Sequence, residues 1–163
     1  FPQVHFLWAG GNAEQVNQWQ AHLDSNGVKN VTLTGFIANN HLPLYQAAAD
    51  VLLMPYSRSF GGSGGGNIAN VSSPLKLFEY LATGRAILVS DLPVLREVLN
   101  EQTACFYKSE DFADLCQKFA QLVSDHTLRK RLGEAARVHA QQFDWKTRMT
   151  VILEAANSLP FIK

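Results

Sequence analysis

Residues 73–79, SPLKLFE, combine the start of a helix with a lysine and a glutamate. Ser73 suits a helix N-cap, and Pro74 suits the first helical position because its missing N–H costs nothing there. The backbone N–H groups of Leu75 and Lys76 would then point out of the helix end, where the helix dipole favours an anion. Lys76 adds a positive charge. The spacing therefore predicts an anion-binding site at this helix start.

Glu79 stands among the apolar residues of the same helix, at a position where a core helix would not require a carboxylate. It follows Ser73 by six residues, about 9 Å along a helix axis, and its side chain leans back toward the N-terminus. A diphosphate held at the helix start would leave an attached ribose within reach of this carboxylate. The spacing also leaves open a simpler arrangement, in which Glu79 faces solvent and pairs with Lys76.

Short apolar runs alternate with helical patterns along the chain, which predicts an α/β fold with a parallel sheet and helices on both faces. Ligands bind such sheets beyond the carboxyl ends of the strands. The predicted strands are residues 4–9, 31–36, 51–56, 86–90 and 105–107, and the predicted helices are residues 12–27, 43–49, 74–83, 93–99, 112–122, 127–142 and 145–158.

Several helix ends carry recognisable signals. Asn12, with Gln15 three residues later, predicts a capping box, and Asp144 predicts the N-cap of the last helix. Gly27 and Gly84 follow helical patterns and predict C-terminal stops.

The connection after the third predicted strand, residues 57–73, is long and has five glycines within residues 61–66. Gly64, Gly66 and Ala69 match G-x-G-x-x-A, but a dinucleotide fingerprint must leave a strand and enter a helix at once. Here the strand and the helix are far apart. We therefore predict a flexible Gly-rich loop and regard a dinucleotide-dependent oxidoreductase as a weaker candidate.

The composition excludes some classes of partner. Fourteen basic residues balance fourteen acidic ones among 163 residues, so no global field attracts nucleic acid. No apolar run reaches the roughly 20 residues of a transmembrane helix. The histidines lack metal-ligand spacing, and Cys105 and Cys116 fit reduced thiols. These features predict a cytoplasmic protein without a structural metal.

The segment SPLKLFEYLATGRAILVSDLPVLREVL, residues 73–99, closely resembles the donor-binding segment of the retaining glycosyltransferases of family 4, which have the GT-B fold. The segments FPQVHFLWAGG, NVTLTGF and LPLYQAAADVLLMPY stand in the expected order, so the resemblance covers nearly the whole chain. It implies a Rossmann-like C-terminal GT-B half, with residues 144–158 as the closing helix.

The resemblance implies that the carboxylate of Glu79 holds the ribose of a nucleotide-diphosphate sugar built on UDP or GDP. Helix N–H groups and cations would stabilise the leaving diphosphate, so no metal cofactor is expected. A solvated Arg58 and a core-packed Phe36 remain open as simpler roles. The predicted donor-binding residues are Ser73, Pro74, Leu75, Lys76 and Glu79, together with Gly35, Phe36, Tyr56 and Arg58 from loops at the functional edge.

The sequence departs from the family pattern in two places. Val71 stands where the family has a glutamate that contacts the donor sugar, which leaves the sugar contact unassigned. The chain also begins after the first strand and helix of such a domain and lacks the acceptor-binding domain. We therefore expect residues 1–163 to be one donor-binding domain of a two-domain enzyme, inactive in transfer by itself. In the full-length protein, a peripheral position at the inner membrane is compatible with this expectation.

No catalytic residue is assigned from the sequence. His41 and Asp91 lie in loops at the functional edge, but His41 fits an exposed loop residue and Asp91 fits a cap for the helix that starts at Pro93. The acceptor and the sugar also stay unassigned. A non-catalytic nucleotide-binding or scaffolding module with this fold is the alternative to a glycosyltransferase.

Overall fold

A computed structural model of the chain describes residues 1–58 and 75–158. Ser73, Pro74, Val71 and most of the predicted loop at residues 57–73 lie outside the described residues. The described strands are β1 (Phe6–Ala9), β2 (Val31–Gly35), β3 (Val51–Met54), β4 (Ala86–Asp91) and β5 (Cys105–Lys108). The described helices are α1 (Ala13–Ser25), α2 (Leu42–Ala48), α3 (Leu75–Thr83), α4 (Pro93–Arg96), α5 (Phe112–Ser124), α6 (His126–Ala140) and α7 (Trp145–Ser158).

The strands form two parallel sheets, one of β1 and β2 and one in the order β3–β4–β5. The predicted parallel α/β architecture is therefore confirmed. The chain divides into two compact units, Phe1–Leu44 and Tyr45–Lys163.

The first unit places helix α1 against the β1–β2 pair. The predicted capping box is present, because the Asn12 side chain accepts from the Gln15 backbone N–H and the Gln15 side chain accepts from the Asn12 N–H, both at 2.9 Å. The rings of Trp8 and Trp19 pack at a tilt of 43° with centroids 5.1 Å apart, yet both side chains stay about half exposed. None of the residues of this unit is fully buried.

The second unit contains the core. The five residues that begin β4, Ala86 to Ser90, are all buried, as expected for a central strand of a parallel sheet covered on both faces. Leu77 and Leu81 are four residues apart on α3, so they share one helix face, and both are buried in the core. The register of α3 is therefore fixed by the two leucines, and this register also decides where Glu79 points.

Helix α6 approaches the end of α3 closely. Gly84 ends α3 with a φ of +68°, a conformation that glycine adopts without strain, which confirms the predicted stop. Gly133 of α6 lies directly against it: a Cβ atom on Gly133 would stand 2.2 Å from the Gly84 carbonyl oxygen. Only a residue without a side chain fits at this contact.

The last helix, α7, begins after the predicted cap. The Asp144 carboxylate accepts from the Thr147 N–H at 2.6 Å, which confirms Asp144 as an N-cap and lowers the pKa of its carboxyl group. Trp145 and the other residues of α7 are exposed. Across residues 1–58 and 75–158, no helix combines the length and apolar character that a bilayer span requires.

Candidate functional site

The carboxyl ends of β3, β4 and β5 lie side by side at one edge of the three-stranded sheet. A buried serine, Ser90 near the end of β4, joins β4 to the chain that leaves β3. Its hydroxyl accepts from the Tyr56 N–H at 2.9 Å and donates to the Met54 carbonyl oxygen at 3.2 Å. The Ser109 hydroxyl, just after β5, donates to the Tyr56 carbonyl oxygen at 3.2 Å. The Tyr56 backbone is thus held by hydrogen bonds to Ser90 of β4 and to Ser109, the residue after β5.

Replacing Ser90 by alanine should destabilise the protein by about 1–2 kcal/mol, since it removes two hydrogen bonds between the buried hydroxyl and the backbone of Met54 and Tyr56. Chemical denaturation of the intact protein measures this loss. The matched control is Ser124→Ala, whose exposed hydroxyl donates to a helix carbonyl and can be replaced by water. Equal losses in the two variants would contradict an anchoring role for Ser90.

A further hydrogen bond at this edge connects the backbone of Arg58 to the loop after β5. The Glu110 carboxylate accepts from the Arg58 backbone N–H at 3.1 Å. Glu110 itself has a φ of +68°, the one non-glycine residue in this region of backbone conformation among those described. Because such a conformation is costly without glycine, the surrounding contacts must hold it in place. The start of the predicted loop therefore has a fixed anchor.

Glu79 extends from α3 toward α2 rather than along its own helix. One carboxylate oxygen, Oε2, accepts from the Nε2 amide of Gln46 at 3.0 Å. Among the ion pairs of the described residues, none joins Lys76 to Glu79, so the simpler arrangement considered from the sequence holds in its exposed side chain but not in its ion pair. No described residue bonds to the other oxygen, Oε1. The side chain is exposed and presents one carboxylate oxygen for a ligand.

Helix α2 is itself fixed to the far end of α3. The Arg85 guanidinium donates through Nη2 to the Ala47 carbonyl oxygen at 2.6 Å. This carbonyl belongs to the last turn of α2, where backbone oxygens lack helical partners and the helix dipole favours a cation. Gln46 thus stands on a short helix that is held in place one residue later.

Two tyrosines of the second unit have raised pKa values: Tyr80, which follows Glu79 on α3, and Tyr56. Burial raises the pKa of the Tyr80 hydroxyl, and the charges of the neighbouring Tyr56 and Glu79 raise it further. Burial also raises the pKa of Tyr56. Both hydroxyls therefore stay protonated at neutral pH and can donate hydrogen bonds. The charges of Tyr56 and Glu79, two of the predicted site residues, thus both act on the Tyr80 hydroxyl.

Asp91 does not cap the helix at Pro93, so that expectation is wrong. The N-cap residue is Leu92, which has no side-chain cap. The Asp91 carboxylate instead forms a two-point ion pair with Arg96, at 2.7 Å and 3.0 Å, and the hydrogen bonds from Arg96 lower the pKa of Asp91. Because the guanidinium fork matches both carboxylate oxygens, pairing with Arg96 wins over a single cap hydrogen bond.

The Arg96 side chain lines a cavity of about 400 Å³ beside β5, and Glu79 is not among the lining residues. Its charge is already compensated by Asp91 and Glu101, and the guanidinium lies over the Phe106 ring. This cavity is therefore not the place where Glu79 lies. Among the described residues there is also no cluster of acidic, histidine and cysteine side chains suited to a metal ion.

The remaining predicted site residues have defined places. Leu75 and Lys76 form the described start of α3, where both are exposed. Gly35 ends β2 in the first unit with a φ of +68°, and its carbonyl oxygen accepts from the Gly10 N–H at 2.8 Å. Phe36, which follows, is 83% exposed and does not pack in a core. The binding roles of all these residues stay predictions.

Sequence reasoning missed Gln46, Arg85 and Ser90. Gln46 lies 33 positions before Glu79, so no helical or strand period links the two. A polar Gln46 within an alanine-rich helix was the available signal, but it does not identify a partner. Ser90 ends an apolar run and was read as part of the strand, which it is.

The comparisons with known proteins agree with one another. The family model described as "Glycosyl transferases group 1" matches residues 1–125. A Bacillus subtilis (strain 168) protein named as a teichuronic acid biosynthesis glycosyltransferase, TuaH, is 26% identical over 156 residues, which are 94% of this chain and 36% of that protein. D-inositol 3-phosphate glycosyltransferase of Corynebacterium aurimucosum is 32% identical over 110 residues, 66% of this chain and 23% of that protein.

Two solved structures show the fold. Anabaena Alr3699/HepE in complex with UDP superposes with a TM-score of 0.79 at 18% identity, over 98% of this chain and 42% of that one. Sucrose-phosphate synthase from Thermosynechococcus elongatus gives a TM-score of 0.71 at 21% identity, over 93% of this chain and 38% of that one. The chain thus spans well under half the length of the relatives it matches, with the Rossmann-like architecture of a GT-B half. It belongs to the family of glycosyl transferases group 1.

Proposed function

We propose that this chain is the donor-binding part of a glycosyltransferase, which binds a nucleotide-diphosphate sugar and transfers the sugar to a hydroxyl acceptor with retention of anomeric configuration. The observation that carries the proposal is the placement of Glu79: its carboxylate avoids the lysine one turn earlier and keeps Oε1 available. Two vicinal ribose hydroxyls are donors that such a carboxylate can accept from.

The distances along α3 suit a nucleoside diphosphate. Leu75 and Glu79 are four residues apart, about 6 Å along the helix axis. A diphosphate at the exposed N–H groups of Leu75 and Lys76 would therefore leave its ribose beside the carboxylate. Lys76 and the helix end would stabilise the negative charge that develops on the leaving diphosphate. On this basis we propose donor activation without a metal ion, and we propose UDP or GDP as the nucleotide.

The acceptor requires a further part of the enzyme. The relatives are much longer than the region matched here, which makes up 36% of the length of TuaH. We propose that a second domain binds the acceptor in the intact protein, as the resemblance to GT-B enzymes implies. We propose that Tyr56 and Arg58 also contact the nucleotide-sugar donor. Both lie just beyond the carboxyl end of β3, where the loop begins.

The test is nucleotide binding to the intact protein, followed by NMR of the backbone amides and by calorimetry. UDP or GDP should bind and shift the amide signals of Leu75 and Lys76, whereas NAD should not bind. Binding of NAD without binding of UDP or GDP would refute the proposal. A protein that binds a nucleotide but turns over no donor sugar would instead be the non-catalytic module considered from the sequence.

A further inference from the structure

We propose that Gln46 is a positioning residue for the donor site, which holds the Glu79 carboxylate in the orientation that ribose requires. The inference rests on the proposed function and extends it to a residue of a different helix. Gln46 itself touches Glu79 and is not proposed to contact the nucleotide.

The hydrogen bond between the two side chains has one possible direction. An ionised carboxylate only accepts, so the Gln46 amide must donate through Nε2 to Oε2, at 3.0 Å. This bond occupies one oxygen and restricts the rotamers of the Glu79 side chain. Oε1 then keeps a defined direction. Glu79 is exposed, so without such a partner its side chain would sample several staggered rotamers.

The alternative orientation has a cost for the ligand. Lys76 lies three residues before Glu79 on α3, a spacing at which opposite charges pair on a helix. A carboxylate released by Gln46 could turn to Lys76. That pairing would remove both the acceptor for ribose and the cation for diphosphate. Gln46 therefore keeps the two ligand-binding charges apart.

The Gln46 side chain stands on a helix, α2, whose end is held in place by Arg85. The Arg85 guanidinium donates to the carbonyl oxygen of Ala47, the next residue, at 2.6 Å. This contact connects the end of α2 to the residue after Gly84, so both ends of the Gln46–Glu79 hydrogen bond stand on connected segments. Gln46 is also partly buried, which restricts its own rotamers.

The expected effect follows from the fraction of molecules with a competent carboxylate. Apparent affinity falls in proportion to that fraction. If removal of Gln46 lets Glu79 spread over about three staggered wells, affinity for a ribonucleotide falls at least about threefold. Competition from Lys76 increases the loss. For a variant without the Gln46 amide, we therefore expect the dissociation constant for the ribonucleotide to rise about three- to tenfold.

The test compares UDP with 2′-deoxy-UDP, or GDP with 2′-deoxy-GDP, on the intact protein by calorimetry. Wild type and Gln20→Ala should prefer the ribonucleotide. Gln20 is the matched control because its amide donates to the Asp24 carboxylate at 2.9 Å on another helix. Gln46→Ala should weaken the ribonucleotide more than the deoxynucleotide, because both share the diphosphate near Lys76 but only the ribonucleotide has the 2′-hydroxyl that the positioned carboxylate accepts from. Gln46→Glu keeps the side-chain size but loses the donor, and it should reduce the preference at least as much.

The ratio of the two affinities separates positioning from general damage, because a loosened fold weakens both nucleotides alike. If Glu79→Ala abolishes the ribonucleotide preference and both Gln46 variants keep it, the positioning role is overturned while the proposed function stands. If wild type binds neither UDP nor GDP, the proposed function and this inference fall together. Loss of the preference in both Gln46 variants, with folding midpoints unchanged, supports the role.

Discussion

Glu79→Ala should raise the dissociation constant of the intact protein for UDP or GDP about 10- to 150-fold, which corresponds to a loss of roughly 1.5–3 kcal/mol. The free energy of a hydrogen bond to a charged group lies in this range, and both ribose hydroxyls would lose their acceptor at once. The structure supports a specific effect, since Glu79 is exposed and does not take part in the core. Calorimetric titration measures the change.

The isosteric variant divides this loss into two parts. Glu79→Gln keeps one oxygen as an acceptor but removes the charge, so its affinity should lie between those of wild type and Glu79→Ala. Glu134→Ala is the matched control, because Glu134 is an exposed helical glutamate whose partner, Lys130, stands 3.9 Å away. A Glu79→Ala protein that binds UDP and GDP like wild type would remove the ribose assignment.

Gly133→Val should destabilise the protein by about 3 kcal/mol or more, the upper part of the range for overpacked sites. A Cβ atom there would lie 2.2 Å from the Gly84 carbonyl oxygen and 2.9 Å from its carbon, both backbone atoms that cannot rotate away. Ala is favoured over Gly in a helix by about 0.8–1 kcal/mol, which is too little to offset this overlap. Gly133→Ala should therefore also destabilise, by a smaller amount.

Urea denaturation of the intact variants measures both losses, with the midpoint read at constant slope. The control is Glu134→Val, the same new side chain one position later on an exposed face of α6. Its effect should stay within about 0.5 kcal/mol. A stable Gly133→Val protein would show that α6 can move away from Gly84 at little cost, contrary to the tight α3–α6 contact described above.

Local signals in the sequence predicted the elements well. The apolar run that starts at Ala86 became the buried strand β4, because a strand covered on both faces needs no polar alternation. Asn12 and Asp144 cap their helices as predicted, since capping depends on residues within one turn. The likeness to the glycosyltransferase family also came from short segments in a fixed order.

Contacts between distant segments were beyond that reasoning. Gln46 meets Glu79 because α2 and α3 are adjacent in space, and nothing in either helix specifies the other. Asp91 was expected to serve its nearest helix end, but a guanidinium five residues later offered two hydrogen bonds in place of one. The arrangement of the strands as two sheets likewise depends on pairing that strand composition does not specify.

The uneven distribution of buried side chains bears on how the molecule opens to solvent. Opening of the β1–β2 unit exposes little apolar surface beyond what is already hydrated, whereas opening around β4 uncovers a dry interior. Amide hydrogens of residues 31–35 should therefore exchange with deuterium through small, frequent fluctuations, and those of residues 86–90 only through rare cooperative ones. The helix that carries the carboxylate thus stands on the slow-exchanging part of the protein.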